Sequence, residues 1–554
     1  MDLQSSTFHY AGKNIRRVLC VFPKYALSFG TFNHAFPLMT SVKAFMPPQG
    51  ILLIAALLPK KWEVRFIDEN NQPATLEDMR WAEAVFTSGM HIQRESICEI
   101  LERAHAAGRT AILGGPSASS APEWYPAADI LHIGEVGDAT LKLFEYIDRD
   151  PGRPREQLRF TTLERLPMTE FPTPAYYLID ICNYFLCSVQ FSSGCPNGCE
   201  FCDVPILFGR HPRHKTPEQI IRELDILADG GAPSVHFLDD NFTGDAKAAR
   251  ELLDHLVRWQ DRRDCEVRLS CEATLSLSRH LDILESMRQA GFTNIFCGIE
   301  SPEAEALQAI KKSFNLQRPI LEAIETFNRY GMEVAVGLIM GFDTDTEQTP
   351  QVLADFIKAS QTPVHTLNIL YALPKTPLYN RLKEQDRIVS DEGRDSNVKF
   401  LRPYEEVVSD WLNLIAQVYE PKALYERYAT QAEKTYPNRR RPEHPLRHVT
   451  PRNLHRAVSI FSRLIWHVGL RGDYRREFWK MFRTQLRQGH IENIFQIALV
   501  GHHLIKYTRE TVSGRIHACH FAPRIRPQEP DVADEISERY TEEQAAVERV
   551  SGAP

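Results

Sequence analysis

Long apolar runs are scarce in this 554-residue chain. No stretch approaches the roughly 18–20 apolar residues that a membrane-spanning helix needs. The longest, residues 50–58 and 494–500, fall well short. The opening MDLQSSTFHYAGKNIRR lacks the apolar core of a secretory signal, so export is not expected. Paired disulfide spacing is missing too. The eleven cysteines, at 20, 98, 182, 187, 195, 199, 202, 265, 271, 297 and 519, are scattered. A reducing cytoplasm is the expected compartment. Positive charge is not in excess: 65 Lys and Arg against 72 Asp and Glu give −7, so no nucleic-acid partner is expected. Hydrophobic content of 43 % and charged content of 25 % are ordinary for a globular protein, and the length suggests about three domains.

What the chain does have is a cysteine triplet, Cys195, Cys199 and Cys202, in FSSGCPNGCEFCDVP. Three thiolates spaced C-x3-C-x2-C can hold three irons of a [4Fe–4S] cluster and leave the fourth open to chemistry. Zinc is the alternative, with His211 or His214 as a fourth ligand. Gly194 and Gly198 are expected to let the loop turn tightly, and Phe201 sets a ring before the last cysteine. The arrangement resembles the radical S-adenosylmethionine (SAM) enzymes. That resemblance implies a cluster whose open iron chelates the amino and carboxylate groups of SAM and whose electron cleaves it to a 5′-deoxyadenosyl radical.

Ahead of the triplet, residues 16–145 alternate apolar strands (RRVLCVFP, WEVRFIDEN, AEAVFTSG, TAILGGP, ILHIGEVG) with helical stretches (GILLIAALLP, IQRESICEILERAHAAG). Such alternation predicts an open parallel sheet, with ligands beyond the strands' carboxyl ends. The loops there hold Ser88, Gly89, His91, Gly114, Gly115, Ser117, Gly134, Glu135 and Gly137. Small residues admit a large flat ligand close to the backbone. The stretch 1–150 resembles the Rossmann-like cobalamin-binding domain that precedes many radical SAM domains, and those nine residues are the cobalamin contacts this implies. Asp-x-His-x-x-Gly, which supplies a histidine to cobalt, is absent, so the lower cobalt ligand is unassigned. His91 stands as a ligand, a substrate contact or a hydrogen-bonded loop histidine. A Rossmann-like domain without cofactor is the alternative.

Residues 151–185, rich in Pro and charge, read as a linker. Residues 186–390 carry six strand–helix units, with strands CSVQFSSG, SVHFLDDN, VRLSCEAT, NIFCGIES, EVAVGLIMG and TLNILYALP. Six units match the partial (β/α)6 TIM-type barrel of the radical SAM family, whose site lies at the strands' carboxyl ends. By that resemblance Asp239, Asp240 and Asn241 meet the SAM ammonium, Glu272 the ribose, and Glu300 and Ser301 the carboxylate and ribose. Gly337 and Gly341 lie under the adenine, and Phe201 also belongs to the SAM site. A single strand-end acid is usually just solvated; four on successive strands after the triplet argue for a site. No catalytic acid or base is assigned.

Residues 391–530 read as a helical domain, from SNVKFLRPYEEVV onward, and 531–554 as an acidic tail expected to be disordered. Leu454, Val458, Phe461, Ile465 and Val468 fall on one helix face, flanked by Arg452, Arg456 and Arg463. Between 439 and 515 sixteen Lys and Arg stand against five Asp and Glu. The two readings are a helical layer with solvated arginines and a basic surface for anionic lipid.

Across about residues 16–520 the stretches FPKYALSFGTFNHAFPLM, AFMPPQGILLIAALLP, WEVRFIDEN, SGMHIQR, FLRPYEEV and TYPNR resemble the hopanoid C-2 methylases and their radical SAM relatives. The resemblance implies an α/β protein with a helical C-terminal domain. It implies methyl transfer, through methylcobalamin, to an unactivated carbon of a hopanoid, C-2 of ring A. Such a carbon has no lone pair, so a hydrogen must first be removed by a radical. The expected cofactors are the [4Fe–4S] cluster, SAM and cobalamin. The expected partners are a hopanoid or other lipid and a flavodoxin- or ferredoxin-type electron donor, with a peripheral contact at the inner membrane surface left open. Alternatives are a cobalamin-dependent radical SAM enzyme acting on another lipid, a tetrapyrrole or a natural product, by methylation or by ring or C–C bond formation, and a non-enzymatic sensor. A methylthiotransferase is disfavoured, since that group carries three more cluster cysteines near its N-terminus, where only Cys20 and Cys98 lie here.

Overall fold

Six short apolar segments at the start of the chain pair into one all-parallel sheet. The computed structural model describes residues 10–516 except 445, 446 and 448 and the side chain of residue 452. The tail 531–554, the end of the expected helical domain and Cys519 therefore lie outside the described residues. Strands β1 (Arg17–Phe22), β2 (Glu63–Asp68), β3 (Ala84–Ser88), β4 (Thr110–Gly114), β5 (Ile130–Ile133) and β6 (Leu158–Thr161) run in the order β2-β1-β3-β4-β5-β6. Five of the six β1 residues are buried, as a strand covered on both faces must be. The order reverses between β1 and β3, which opens a crevice beyond their carboxyl ends. One strand was not expected: β6 lies inside the 151–185 linker. Its alternating LRFT is too short to stand out among prolines and charges, and its partner β5 makes it a strand.

The second sheet comprises β7 (Cys187–Val189), β10 (Ser234–Phe237), β11 (Arg268–Glu272), β12 (Phe292–Glu300), β13 (Glu333–Met340) and β14 (His365–Ile369), in consecutive order and parallel throughout. A two-stranded ribbon, β8 (Ser192–Ser193) with β9 (Arg213–His214), flanks the cysteine loop. This is the six-unit partial barrel. Along β11, Leu269 and Cys271 are buried, and Ser270 and Glu272 alternate with them on the other face, where Ser270 Oγ meets His236 Nδ1 at 2.9 Å.

Residues 396–403, expected to be helical, instead follow β14 in an extended path. The Asn397 amide accepts from Ala372 N and donates to Ala372 O, both at 2.8 Å, and so extends the sheet's pairing. The helix begins at Tyr404, because Pro403 disfavours a helical Arg402. The helices that follow pack on the barrel. Trp411 Nε1 donates to Leu367 O at 2.9 Å. At the amino-terminal end of the barrel, Arg439 donates to Thr293 O at 3.0 Å and Gly331 O at 3.1 Å. Glu333, 1 % exposed, accepts there from the Tyr436 hydroxyl and from Asn294 Nδ2.

The expected apolar face 454–468 is divided. The helix Pro451–Leu464 packs through Ile460 and Leu464, Val468 is buried beyond it, and Leu454, Val458 and Phe461 stay exposed. Between β1 and the helix Gln49–Leu57, residues 23–48 form a strap that leaves the first sheet and docks on the helix Ile491–Val512. His503 Nε2 donates to Ser28 O at 3.0 Å, and its Nδ1 accepts from His34 N at 3.4 Å. Burial, with His34 nearby, holds this imidazole neutral, its pKa pushed down to about 3.

Replacing Tyr436 by Phe leaves the buried Glu333 carboxylate short of a donor. The expected loss is about 1–3 kcal/mol, read as a lower denaturant midpoint at unchanged slope.

Candidate functional site

The cysteine loop leaves β8 at Gly194, whose φ of +102° is left-handed. A Cβ there would come within 2.9 Å of Gly209 O. Gly198 needs no such conformation, and a Cβ on it would meet chiefly the movable Arg210 guanidinium. Two carboxylates hold the entry of the loop. Asp239 Oδ1 accepts from Phe191 N at 2.8 Å and Ser192 N at 2.9 Å; Asp240 Oδ2 accepts from Gly194 N at 2.8 Å. Glu200 fixes the far side, since its carboxylate takes two hydrogen bonds from Arg381, at 2.7 and 3.1 Å. Burial raises all three thiols above their ordinary values, so they hold their protons until a metal displaces them. Among the described residues no three His, Cys, Asp or Glu side chains gather closely enough for a single ion. A cluster takes one sulfur per iron and needs its sulfurs set wider apart than a single ion does. His214 is turned onto the Phe191 ring, 5.2 Å between centroids, and His211 is exposed.

The strand-end acids face a cavity of about 610 Å³, which Asp239, Asp240 and Glu272 line. Burial pushes Asp239 up to about 7 and Asp240 up to about 6; burial, then Asp240 and Asp239, push Glu272 up to about 7. Asp239 Oδ2 is buried with no partner among the described residues. An ammonium or a hydroxyl donor is what such a group lacks.

The other expected SAM residues do not line this cavity. Glu300 sits at a bulge with φ +68° and pairs with Lys312 Nζ at 2.6 Å. Burial opposes the Lys312 charge, but Glu300 and Cys199 outweigh it and raise its pKa. The ammonium also lies 5.6 Å over the Phe201 ring, which places both residues beside the cysteine loop. Ser301 Oγ accepts from Glu303 N at 3.1 Å, and Asn241 closes a turn through Gly244 N. Gly337 faces the Phe296 ring inside the barrel, where a Cβ would come within 3.1 Å. Gly341, at φ +105°, is required by Phe400, whose ring carbon would be 2.6 Å from a Cβ.

The same cavity is walled by loops of the first sheet. Ser88, Gly89, Gly114, Gly115, Gly134 and Glu135 line it; His91, Ser117 and Gly137 do not. The two loops cross at Gly115, where a Cβ would be 2.6 Å from Ser88 Oγ; a Cβ on Gly89 would be 2.9 Å from the Pro23 ring. Glu135 is tied to protein on both oxygens: Ser193 Oγ donates to one at 2.9 Å, and Arg213 and Arg165 meet the other at 2.5 and 3.0 Å. His91, 5 % exposed, also has both ring nitrogens engaged. Nε2 lies 3.3 Å from Asp203 Oδ2, and Nδ1 lies 3.2 Å from Ser117 Oγ, which meets Tyr125 OH at 2.5 Å. Of its three readings, the hydrogen-bonded loop histidine fits this geometry.

Several wall residues carry no motif. The strap contributes Tyr25, Thr31, Phe45 and Met46, and His132 enters from β5 with Nε2 2.9 Å from Thr140 Oγ1. Lys312, in IKKSFN, has no signal in sequence beyond following GIES on the same unit.

The radical SAM superfamily model matches residues 189–357, and a model described as a domain of unknown function (DUF4070) matches residues 376–517. Two solved structures share the fold. TsrM from Kitasatospora setae, a radical S-adenosylmethionine methyltransferase with cobalamin and a [4Fe-4S] cluster bound, aligns with TM-score 0.54 at 15 % identity over 86 % of this chain and 100 % of that one. OxsB, a cobalamin-dependent S-adenosylmethionine radical enzyme with aqua-cobalamin and S-adenosylmethionine bound, aligns with TM-score 0.55 at 14 % identity over 90 % and 80 %. The hopanoid C-2 methylase of Rhodopseudomonas palustris (strain TIE-1) is 50 % identical over 517 residues, 93 % of this chain and 98 % of that protein. With that identity along nearly its whole length, and with the cysteine loop and strand-end acids in place, the chain belongs to the hopanoid C-2 methylase family within the radical SAM superfamily.

Proposed function

We propose that the protein transfers a methyl group to C-2 of a hopanoid lipid as a cobalamin-dependent radical SAM methyltransferase. What supports this reading is one cavity with two kinds of wall, the acidic strand ends of the barrel and the small-residue loops of the first sheet. Held by the cysteine loop, the cluster with SAM would supply a hydrogen-abstracting radical, and cobalamin bound in the cavity would supply the methyl group. The chain's own residues then have separable tasks. Cys195, Cys199 and Cys202 hold the cluster. Asp239, Asp240 and Glu272 accept from a cationic, hydroxylated ligand. Glu300 and Lys312, a buried ion pair beside the loop, balance charge there. Ser88, Gly89, Gly114, Gly115 and Gly134 form the cobalamin wall. Glu135, His91 and Ser117 position that wall against the cysteine loop. Gly137 belongs to the same support, because a Cβ on it would collide with the carbonyl of Glu164. Phe22, Phe45, Ile51, Leu53, Phe86 and Phe144 keep the cavity apolar, which suits a hydrocarbon substrate and excludes water.

Two partners complete the reading: a flavodoxin- or ferredoxin-type donor of single electrons, and the inner face of the membrane in which the substrate resides. No helix among the described residues is long and apolar enough to cross a bilayer, so the contact is peripheral.

The test is an anaerobic assay with reductant, methyl-labelled SAM and a detergent-dispersed hopanoid. Label at C-2 of the product is expected. Deoxyadenosine without label transfer would instead indicate ring or C–C bond formation on some other substrate. Cys199→Ala should lose SAM cleavage and the cluster's brown absorbance together while keeping bound corrinoid; retained cleavage refutes the cluster assignment.

The raised acids also set a pH dependence for the ligand-free protein. Glu272 has an ordinary value of 4.5 and a folded value of about 7, so the fold favours its protonated form. That stabilisation is complete below about 4.5 and is lost as pH rises through about 7. Thermal midpoints should fall between these values, and more shallowly in Glu272→Gln.

A further inference from the structure

The helix Pro451–Leu464 continues without interruption into a π-helical turn, Ile465–Leu470. Its packing stripe is satisfied by Ile460, Leu464 and Val468. A second apolar stripe is left largely open: Leu454 is 56 %, Val458 59 % and Phe461 37 % exposed, the last with its ring 5.8 Å from that of Phe482. Spacings of four and three residues put these three on one side. Trp466 and Leu470, in the turn that follows, are also exposed, 48 % and 55 %. Five of the nineteen large apolar side chains exposed among the described residues thus fall within one short stretch. Scattered exposed hydrophobics need no explanation, but a contiguous patch does.

The charge around the patch says what kind of surface fits it. In the turn and the helix that follow, Arg471, Arg475, Arg476, Lys480, Arg483 and Arg487 are all exposed. The Arg471 guanidinium lies 4.5 Å from the centre of the Trp466 ring. Apolar residues, a tryptophan and surrounding arginines on one exposed helix are the make-up of an element that lies in the plane of an anionic lipid surface.

The patch is also joined to the cavity. Arg463, on the same helix, donates to Pro37 O at 3.0 Å and Met39 O at 3.3 Å in the strap. Ser28, Gly30 and Thr31 before that point, and Phe45 and Met46 after it, form part of the cavity wall. A lipid-bound helix would therefore hold this stretch of cavity wall beside the bilayer. We propose that helix 451–470 docks on an anionic bilayer and that the strap 28–46 is the doorway through which the lipid substrate passes into the cavity. The doorway rests on the lipid-methylase reading; the docking does not.

The experiment uses the full chain and vesicles of phosphatidylglycerol and phosphatidylcholine, with and without embedded hopanoid. The wild-type protein should float with the anionic vesicles, and less so as salt rises. The double variant Leu454→Asp/Val458→Asp should float about ten-fold less or weaker still, while keeping its circular dichroism and its methylation of detergent-dispersed hopanoid. Its methylation of vesicle-embedded hopanoid should fall in parallel. Arg463→Ala should float like the wild type yet methylate the embedded substrate more slowly. Equal flotation of the double variant and the wild type overturns the docking. So does a wild-type dimer in solution that the double variant converts to monomers, because a second copy then covers the patch. An Arg463→Ala protein that matches the wild type on embedded substrate overturns the doorway. If the wild type floats but methylates hopanoid in neither form, the docking stands and the methylase reading fails.

Discussion

The carboxylate of Glu135, shared by Ser193, Arg213 and Arg165, joins two parallel sheets that would otherwise present their ligand-binding ends to solvent. Both sheets put their reactive loops at carboxyl ends, where parallel architectures bind ligands. Neither has its own lid. Each covers the other, and the price is a set of charges withdrawn from water at the seam. The protein offsets part of that cost, since Arg213 and Arg165 both reach Phe208 O as well, while Arg213 Nε and Nη1 are buried without a partner among the described residues. Arg165 and Arg213 keep some contact with water, so breaking one member costs less than breaking a fully buried pair. Other seam contacts act in the same direction, including Arg94 with Asp391 at 2.9 Å and Lys375 Nζ with Ser119 O at 2.6 Å.

Within that enclosure the acids have two tasks at once. One oxygen of Asp239 caps the start of the cysteine loop, and the other has no donor among the described residues. Asp240 likewise holds Gly194 while lining the cavity. The loop's shape and the ligand's charge are therefore coupled through the same side chains. Buried carboxylates that lack a partner hold their protons; a cationic ligand supplies the missing charge and lets them ionise.

Much of this was legible residue by residue. The strand–helix rhythm located eleven of the twelve strands of the two parallel sheets, because a doubly covered parallel strand reads as a short apolar run. The triplet spacing named the cluster loop, since ligand spacing is local. Other readings failed where a distant partner decides. LRFT is a strand only because Ile130–Ile133 runs beside it. Residues 396–403 look helical until Asn397 finds Ala372. Gly341 looks like room for a ligand, but it is room for Phe400. His91 looks free in SGMHIQR, and Asp203 and Ser117, far off in sequence, occupy both of its nitrogens.

By itself the amino-acid sequence determined the two parallel-sheet units, the cysteine triplet and the acids on successive strand ends, all carried by short-range spacing and periodicity. Only the tertiary structure decided that the two units share one cavity, that Glu135 and His91 are held by hydrogen bonds to protein, that Lys312 stands beside the cysteines, and that one apolar helix face stays largely exposed. Those outcomes depend on which surfaces meet across hundreds of residues, and burial, unlike periodicity, is not a property of any single segment.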